Sequence, residues 1–181
     1  MPQPRDIRPI LENVMQLMQG RFRDSLKAQG HVNRGNLSES IQYKIEVSGD
    51  IGIGKMELAD YGIYVNVGVR AEKVAFGNGG GKGGKTSLYI EALIDWWQDR
   101  GLSERDAKSA SFATARVHAR EGIPTRASAR FSETGDRLGF VEAAVEQSLE
   151  EIGALIEGQY GSTIELNFSE YFKTDKIRIE A

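Results

Sequence analysis

Eight apolar side chains, Ile7, Ile10, Leu11, Val14, Leu17, Met18, Phe22 and Leu26, recur at spacings of three and four near the start of the chain, with Arg, Glu, Asn and Gln between them. That period places them along one side of a helix predicted over Asp6 to Gln29. At 1.5 Å per residue it is about 36 Å long, so its stripe must be covered by other elements along its whole length. Pro4 and Pro9 fall before or inside the first turn, where a missing N–H is tolerated. Gly30 supplies the C-terminal stop.

The next patterns suggest what covers it. Val32 to Ser40 is a polar link with an extra turn around Leu37. Ile41-Gln-Tyr43-Lys-Ile45-Glu-Val47-Ser then alternates apolar and polar, the period-two mark of a strand with one covered face. Ser48-Gly49-Asp50 is turn chemistry. Ile51, Ile53 and the residues to Leu58 form a second, weaker strand, whose Gly52 and Gly54 either weaken it, mark a bulge or allow a close backbone approach. Later, Leu138, Val141, Val145, Leu149, Ile152 and Ile156 form the stripe of a third strong helix, capped by Thr134 or Asp136 and stopped by Gly158 and Gly161. Ile164, Leu166 and Phe168, then Ile177 and Ile179, alternate with polar residues and give two short strands, able to pair with each other or to extend the first hairpin. The fold class is α+β: a small antiparallel sheet of hairpins packed by three to four helices, with extended loops and a C-terminal arm. The domain runs over 1–157 and the β arm over 158–181.

Between hairpin and closing helix lies a block rich in aromatic residues, Tyr61 to Phe131, holding both tryptophans. It comprises the run Tyr61-Gly-Ile-Tyr64-Val65-Asn-Val67-Gly68, a Gly/Lys loop from Gly77 to Lys85, a helix with Trp96 and Trp97, a Gly101 stop, a second helix through Phe112 and Arg116, and a tip from Gly122 to Phe131. Gly79-Gly-Gly-Lys82-Gly-Gly84-Lys85-Thr86 fits the phosphate-binding pattern GxxxxGK[ST], and Thr86 or Ser87 can cap the helix after it. A P-loop also needs a buried parallel strand before it and a βαβ sheet beneath it. Glu72-Lys-Val-Ala-Phe76 is instead a short, half-charged run, so a mobile or partner-ordered loop is the favoured reading.

Composition narrows the chemistry. Without cysteine there are no disulfides, thiolate metal sites or Cys nucleophiles. His31 and His118 are the only imidazoles and lie far apart in sequence, and no Gly-x-Ser-x-Gly elbow is present. His118, between Arg116 and Arg120, suits a helix C-terminus as a cation more than it suits a base. The carboxylate pairs Glu150/Glu151 and Asp95/Asp99 read as solvated helix faces. No catalytic residue, cofactor or metal is expected, and the polar N-terminus does not read as a secretory signal. No apolar run reaches the roughly 20 residues that span a bilayer. The net charge of −3 is unevenly spread: Arg70 to Arg137 holds twelve Lys/Arg against nine Asp/Glu, while Leu138 to Glu165 holds six glutamates and no basic residue. Arg116, Arg120, Arg126 and Arg130 cluster around Gly122-Ile-Pro124, and favour a protein partner over nucleic acid in an acidic chain.

This order of elements resembles the head–tail joining proteins of tailed bacteriophages, the neck or tail-completion family. The resemblance covers roughly residues 6 to 157. It rests on the long first helix, the hairpin, Tyr61-x-x-Tyr64-Val65-x-x-Gly68, the basic glycine loop, Ile94-Asp-Trp96-Trp97 running into Arg100-Gly101-Leu102, Phe112-Ala113-x-Ala115-Arg116, Gly122-Ile123-Pro124, Phe131 and the closing helix. The glycine loop is more extreme than in that family, and the tail after Gly158 has no counterpart there. The resemblance implies a structural virion protein in the phage neck, assembled in the host cytoplasm as a hexameric or dodecameric ring. That ring would join a portal or adaptor protein to a tail terminator or tail tube protein and leave a channel through which DNA passes. A tail terminator or minor tail protein is one alternative, and a small P-loop nucleotide-binding protein another. The residues expected to meet neighbours are Tyr61, Tyr64, Trp96, Trp97, Phe112, Arg116, Arg120, Arg126, Arg130 and Phe131. The isolated chain is expected to be partly disordered around 70–86 and 122–132, with order arriving on assembly.

Overall fold

A computed structural model describes residues 7–49, 51–76 and 87–157, together with the backbone of 164–166 and 177–179. The Gly/Lys loop and Phe168 lie outside these residues. The fold is α+β, with six α-helices and two antiparallel hairpins among the described residues. The chain divides into a first unit, residues 1–66 and 131–181, and a second, 67–130.

In the first unit the long helix α1 (Arg8–Ala28) packs against α6 (Phe140–Glu157) on one flank and the hairpin β1 (Gln42–Ser48)–β2 (Ile51–Glu57) on another. Ile10, Val14, Met18, Phe22 and Leu26 meet Phe140, Val141, Val145, Ile152 and Ile156 in one core. Phe22 and Phe140 pack edge to face, with ring centroids 6.3 Å apart. A short helix α2 (Asn36–Ser40) brings Leu37 into that core and leads into β1. Gln19 and Arg23 of α1 donate to the Ile41 carbonyl at 2.7 and 3.2 Å, which fixes where β1 starts.

The hairpin register decides the fate of Ile51 and Ile53. Gly52 stands opposite Val47 and Gly54 opposite Ile45, so the glycines share the inner face with Tyr43, Ile45 and Val47. A Cβ on Gly52 would lie 3.0 Å from Leu11, and one on Gly54 would overlap buried Met15. Of the roles open to these glycines, close approach to α1 is the one observed. Ile51 and Ile53 therefore point outward, 67% and 45% exposed.

The aromatic run begins in a short helix, α3 (Gly62–Val67), whose buried Asn66 replaces the expected cap of α6. Asn66 Oδ1 accepts the Val141 N–H at 2.9 Å, and its carbonyl accepts the Gly139 N–H at 2.8 Å. Its Nδ2 donates to Glu142. Thr134 and Asp136 instead bond within their own loop, and Leu138 precedes the helix and is 44% exposed, outside the stripe assigned to it. The α1 C-terminus holds that loop. Glu133 N–H donates to the Ala28 carbonyl, Gln29 Nε2 to the Leu138 carbonyl, and Gly30, at φ +70°, passes so close to the Phe131 carbonyl that a side chain would collide with it. At the C-terminus β3 (Ile164–Leu166) and β4 (Ile177–Ile179) pair with each other.

In the second unit α4 (Leu88–Gln98) and α5 (Glu104–Glu121) form a helical hairpin around the Gly101 turn. Ser87 and Ser103 cap the two helices through the N–H groups of Ile90 and Asp106. The ends of the unit are joined by a two-bond bridge: Val69 N–H to the Ile123 carbonyl, 2.7 Å, and Ile123 N–H to the Val69 carbonyl, 2.8 Å. Gly122 sits at φ 85°, ψ −171°, a region open almost only to glycine. Parts of the stretches expected to be disordered carry regular structure, in 3-10 turns Ala71–Lys73 and Arg126–Phe131, and Val74 between Lys73 and Ala75 is 3% exposed.

Candidate interaction surfaces

The ten residues expected to meet neighbours fall into two groups, one in each unit. In the first unit Tyr61 and Tyr64 lie one turn apart at α3 and are 46% and 62% exposed. Gly62 and Val65, on its other side, pack against Leu58 and the core. The Gly139–Asn66 hydrogen bond draws exposed Leu138 beside the end of that helix. Phe131, 60% exposed, stands where its own backbone meets Gly30. The outer hairpin face adds Ile51 and Ile53, flanked by the cross-strand ion pairs Lys44–Glu57 and Lys55–Glu46, each 2.7 Å. Apolar surface rimmed by polar groups, as at Ile51 and Ile53 between these ion pairs, is the pattern that marks docking faces.

In the second unit the aromatic candidates serve the unit itself. Trp97 Nε1–H donates to Thr114 Oγ1 at 3.1 Å and so ties α4 to α5. Trp96 packs edge to face on Trp97, 4.7 Å between centroids, and the Arg100 guanidinium covers its ring at 3.5 Å. Phe112 meets Phe76 at 6.5 Å. All three candidates are only half-buried. Arg116 and Arg120 are exposed on the last turns of α5, and Arg126 and Arg130 are exposed on the 3-10 turn beyond it. Arg120 pairs with Glu121, whose carboxylate also accepts the Arg126 N–H. Hydrogen bonding from Arg120 is the leading cause that holds the Glu121 carboxyl below its usual range.

His118 differs from its expected role. Its Nδ1 lies 2.6 Å from the Tyr89 hydroxyl. Burial pushes that phenol up to about 12 and lowers the imidazole from 6.5 against the opposing pull of Glu121. Burial thus works against the charged form that the helix dipole would favour. His31 is held comparably in the first unit. Its Nε2–H donates to the Arg137 carbonyl at 2.9 Å, and Nδ1 faces the Arg137 guanidinium at 3.5 Å. Burial first, then the guanidinium charge, lower its pKa.

Sequence reasoning missed Lys108 and Arg105, which extend the basic side of α5 and were legible from their spacing. It also missed the outward isoleucines, for which only the register gives a signal. Among the described residues no three His, Asp or Glu are placed to hold a metal, and no helix is long and apolar enough to cross a membrane. Comparison with protein-family models, curated proteins and solved structures finds no match to this chain.

Proposed function

We propose that the chain is a structural subunit of a bacteriophage neck, assembling as a hexameric or dodecameric ring between portal or adaptor and tail, with a channel for DNA and no chemistry of its own. The observation that carries this reading is the exposed apolar set of the first unit, Ile51, Ile53, Tyr61, Tyr64 and Phe131, left uncovered by a chain that already buries a real core. Such faces suit subunits completed by their neighbours. The resemblance in motif order over roughly residues 6 to 157 supports the choice of family. The nucleotide alternative has less support: a 3-10 turn, in place of a strand, precedes the glycine loop, and both described sheets are antiparallel.

Light scattering and negative-stain imaging of the purified chain test the reading. Rings of six or twelve copies are expected, able to bind a portal or adaptor ring. A monomer at every concentration, or ATP binding abolished by Lys85→Ala, would count against it.

A further inference from the structure

We infer that the basic face of α5 on one copy seats against the acidic face of α6 on the next. This rests on the ring reading and adds the two surfaces that would build it.

At about 100° per residue, Arg105, Lys108, Phe112, Arg116 and Arg120 fall within a third of the α5 circumference. The acids of that helix, Glu104, Asp106 and Glu121, lie outside the arc. Ala107, Ser111 and Ala115, on an adjoining side of the helix, are buried, while all four cations are exposed. On α6, Glu142, Glu146, Glu150 and Glu157 fall within a quarter of the circumference, opposite the buried Ala144, Ser148 and Ile152. Glu142 bonds Asn66, and Glu151, outside the arc, pairs with Arg21. Among the described residues Glu146, Glu150 and Glu157 have no ion-pair partner. Each stripe spans the same run of sequence, about 22 Å at 1.5 Å per residue.

Gly153 gives a separate indication. It sits among these glutamates, where a glycine weakens a helix relative to alanine. A Cβ there would meet nothing within 4 Å, so nothing in the chain's described residues requires its absence. A second helix laid across that point would. The charges match as well: 67–130 holds eleven Lys/Arg against seven Asp/Glu in a chain of net charge −3, so the remainder is strongly acidic. Opposite stripes steer encounter and fix register, with an attraction that salt screens. Because α5 and α6 are different surfaces, the contact can run head to tail, and it builds a ring where the rotation between copies closes.

Two charge-reversed chains test this, Glu146→Lys/Glu150→Lys and Lys108→Glu/Arg116→Glu, with circular dichroism to monitor the fold. Each alone is expected to stay monomeric where the wild type assembles, and a one-to-one mixture to regain the wild-type mass. Gly153→Ala is expected to raise the melting temperature while weakening assembly. Should a reversal unfold its chain, Glu146→Gln/Glu150→Gln must still weaken assembly, more at low salt than at high. If both reversed chains assemble alone, or their mixture fails to, the paired faces are wrong while the ring reading stands. If the wild type never assembles, the ring reading itself fails. Loss of duplex DNA binding in Lys108→Glu/Arg116→Glu with assembly intact would assign the basic face to a polyanion and overturn the inference.

Discussion

The two units are held together by different physics. Of nineteen buried apolar side chains among the described residues, fifteen lie in the first unit and four in the second, and two of those four are alanines. The first unit is an apolar core between a long helix, a second helix and a hairpin. The second is a helical hairpin whose seam is lined with small residues, fastened by Trp97–Thr114, Tyr89–His118 and the Val69–Ile123 bridge. Hydrophobic burial scales with the area removed from water, so the first unit carries most of the stability. Elements with few buried contacts open at lower free energy, which makes the second unit the one to open first.

The largest expected effect is that of Phe22→Ala. It removes the ring packed on Phe140 and leaves a cavity, at a cost of about 3–5 kcal/mol. Denaturant melts should show this loss, with hydrogen exchange rising across α1 and α6. If exchange in α4 and α5 rises equally, the two units unfold as one and the contrast fails. Next is Gly122→Ala, which forces a side chain into a region reserved for glycine and places its Cβ 2.6 Å from the Val69 carbonyl. A loss of about 1–3 kcal/mol is expected, confined by exchange to 67–130. Asn66→Ala removes the cap of α6 and should cost about 1–2 kcal/mol, read as fraying of its first turn. Asn66→Asp keeps an acceptor for the Val141 N–H but sets a carboxylate against Glu142, so it should recover only part of the loss.

The smallest effect is a pH dependence shared by both units. His31 and His118 each have a folded pKa below 6.5, so the unfolded chain binds protons more readily. Stability then rises with pH. Their contribution is complete above about 6.5 and is lost as pH falls through that value toward the folded pKa of each. NMR titration of the two imidazoles checks this, and a folded pKa above 6.5 for either would reverse its sign. Glu121→Gln should lower His118 further and leave His31 unmoved.

Patterns confined to one element were legible beforehand. The spacing of Ile10, Val14, Met18, Phe22 and Leu26 gave the first helix its buried side, and the alternation of Tyr43, Ile45 and Val47 gave β1 its inner face. The tryptophan helix, its Ser87 cap and the Gly101 stop also follow from local residues. Readings that depended on distant partners went astray. Thr134 and Asp136 are sound caps by type, but the α6 terminus is capped by an asparagine seventy-five residues upstream of Val141. His118 has the position of a dipole-stabilising cation, yet it meets a tyrosine from the neighbouring helix and its burial disfavours the charged form. Of the candidate surface, the arginines are exposed as their charge requires, while Trp97 and Phe112 had partners within their own unit that sequence spacing did not reveal.

By itself, then, the sequence determined which segments become helix or strand and which side of each seeks cover, because backbone propensity and amphipathic period act over a few residues. It also placed basic residues in the middle of the chain and acidic ones near its end. Tertiary structure alone decided that Gly52 and Gly54, instead of Ile51 and Ile53, face α1, that Asn66 caps α6, and that the two charged stripes are left exposed. Those outcomes depend on how closely two backbones can approach and which polar groups lose water, and both are set by contacts between residues far apart along the chain.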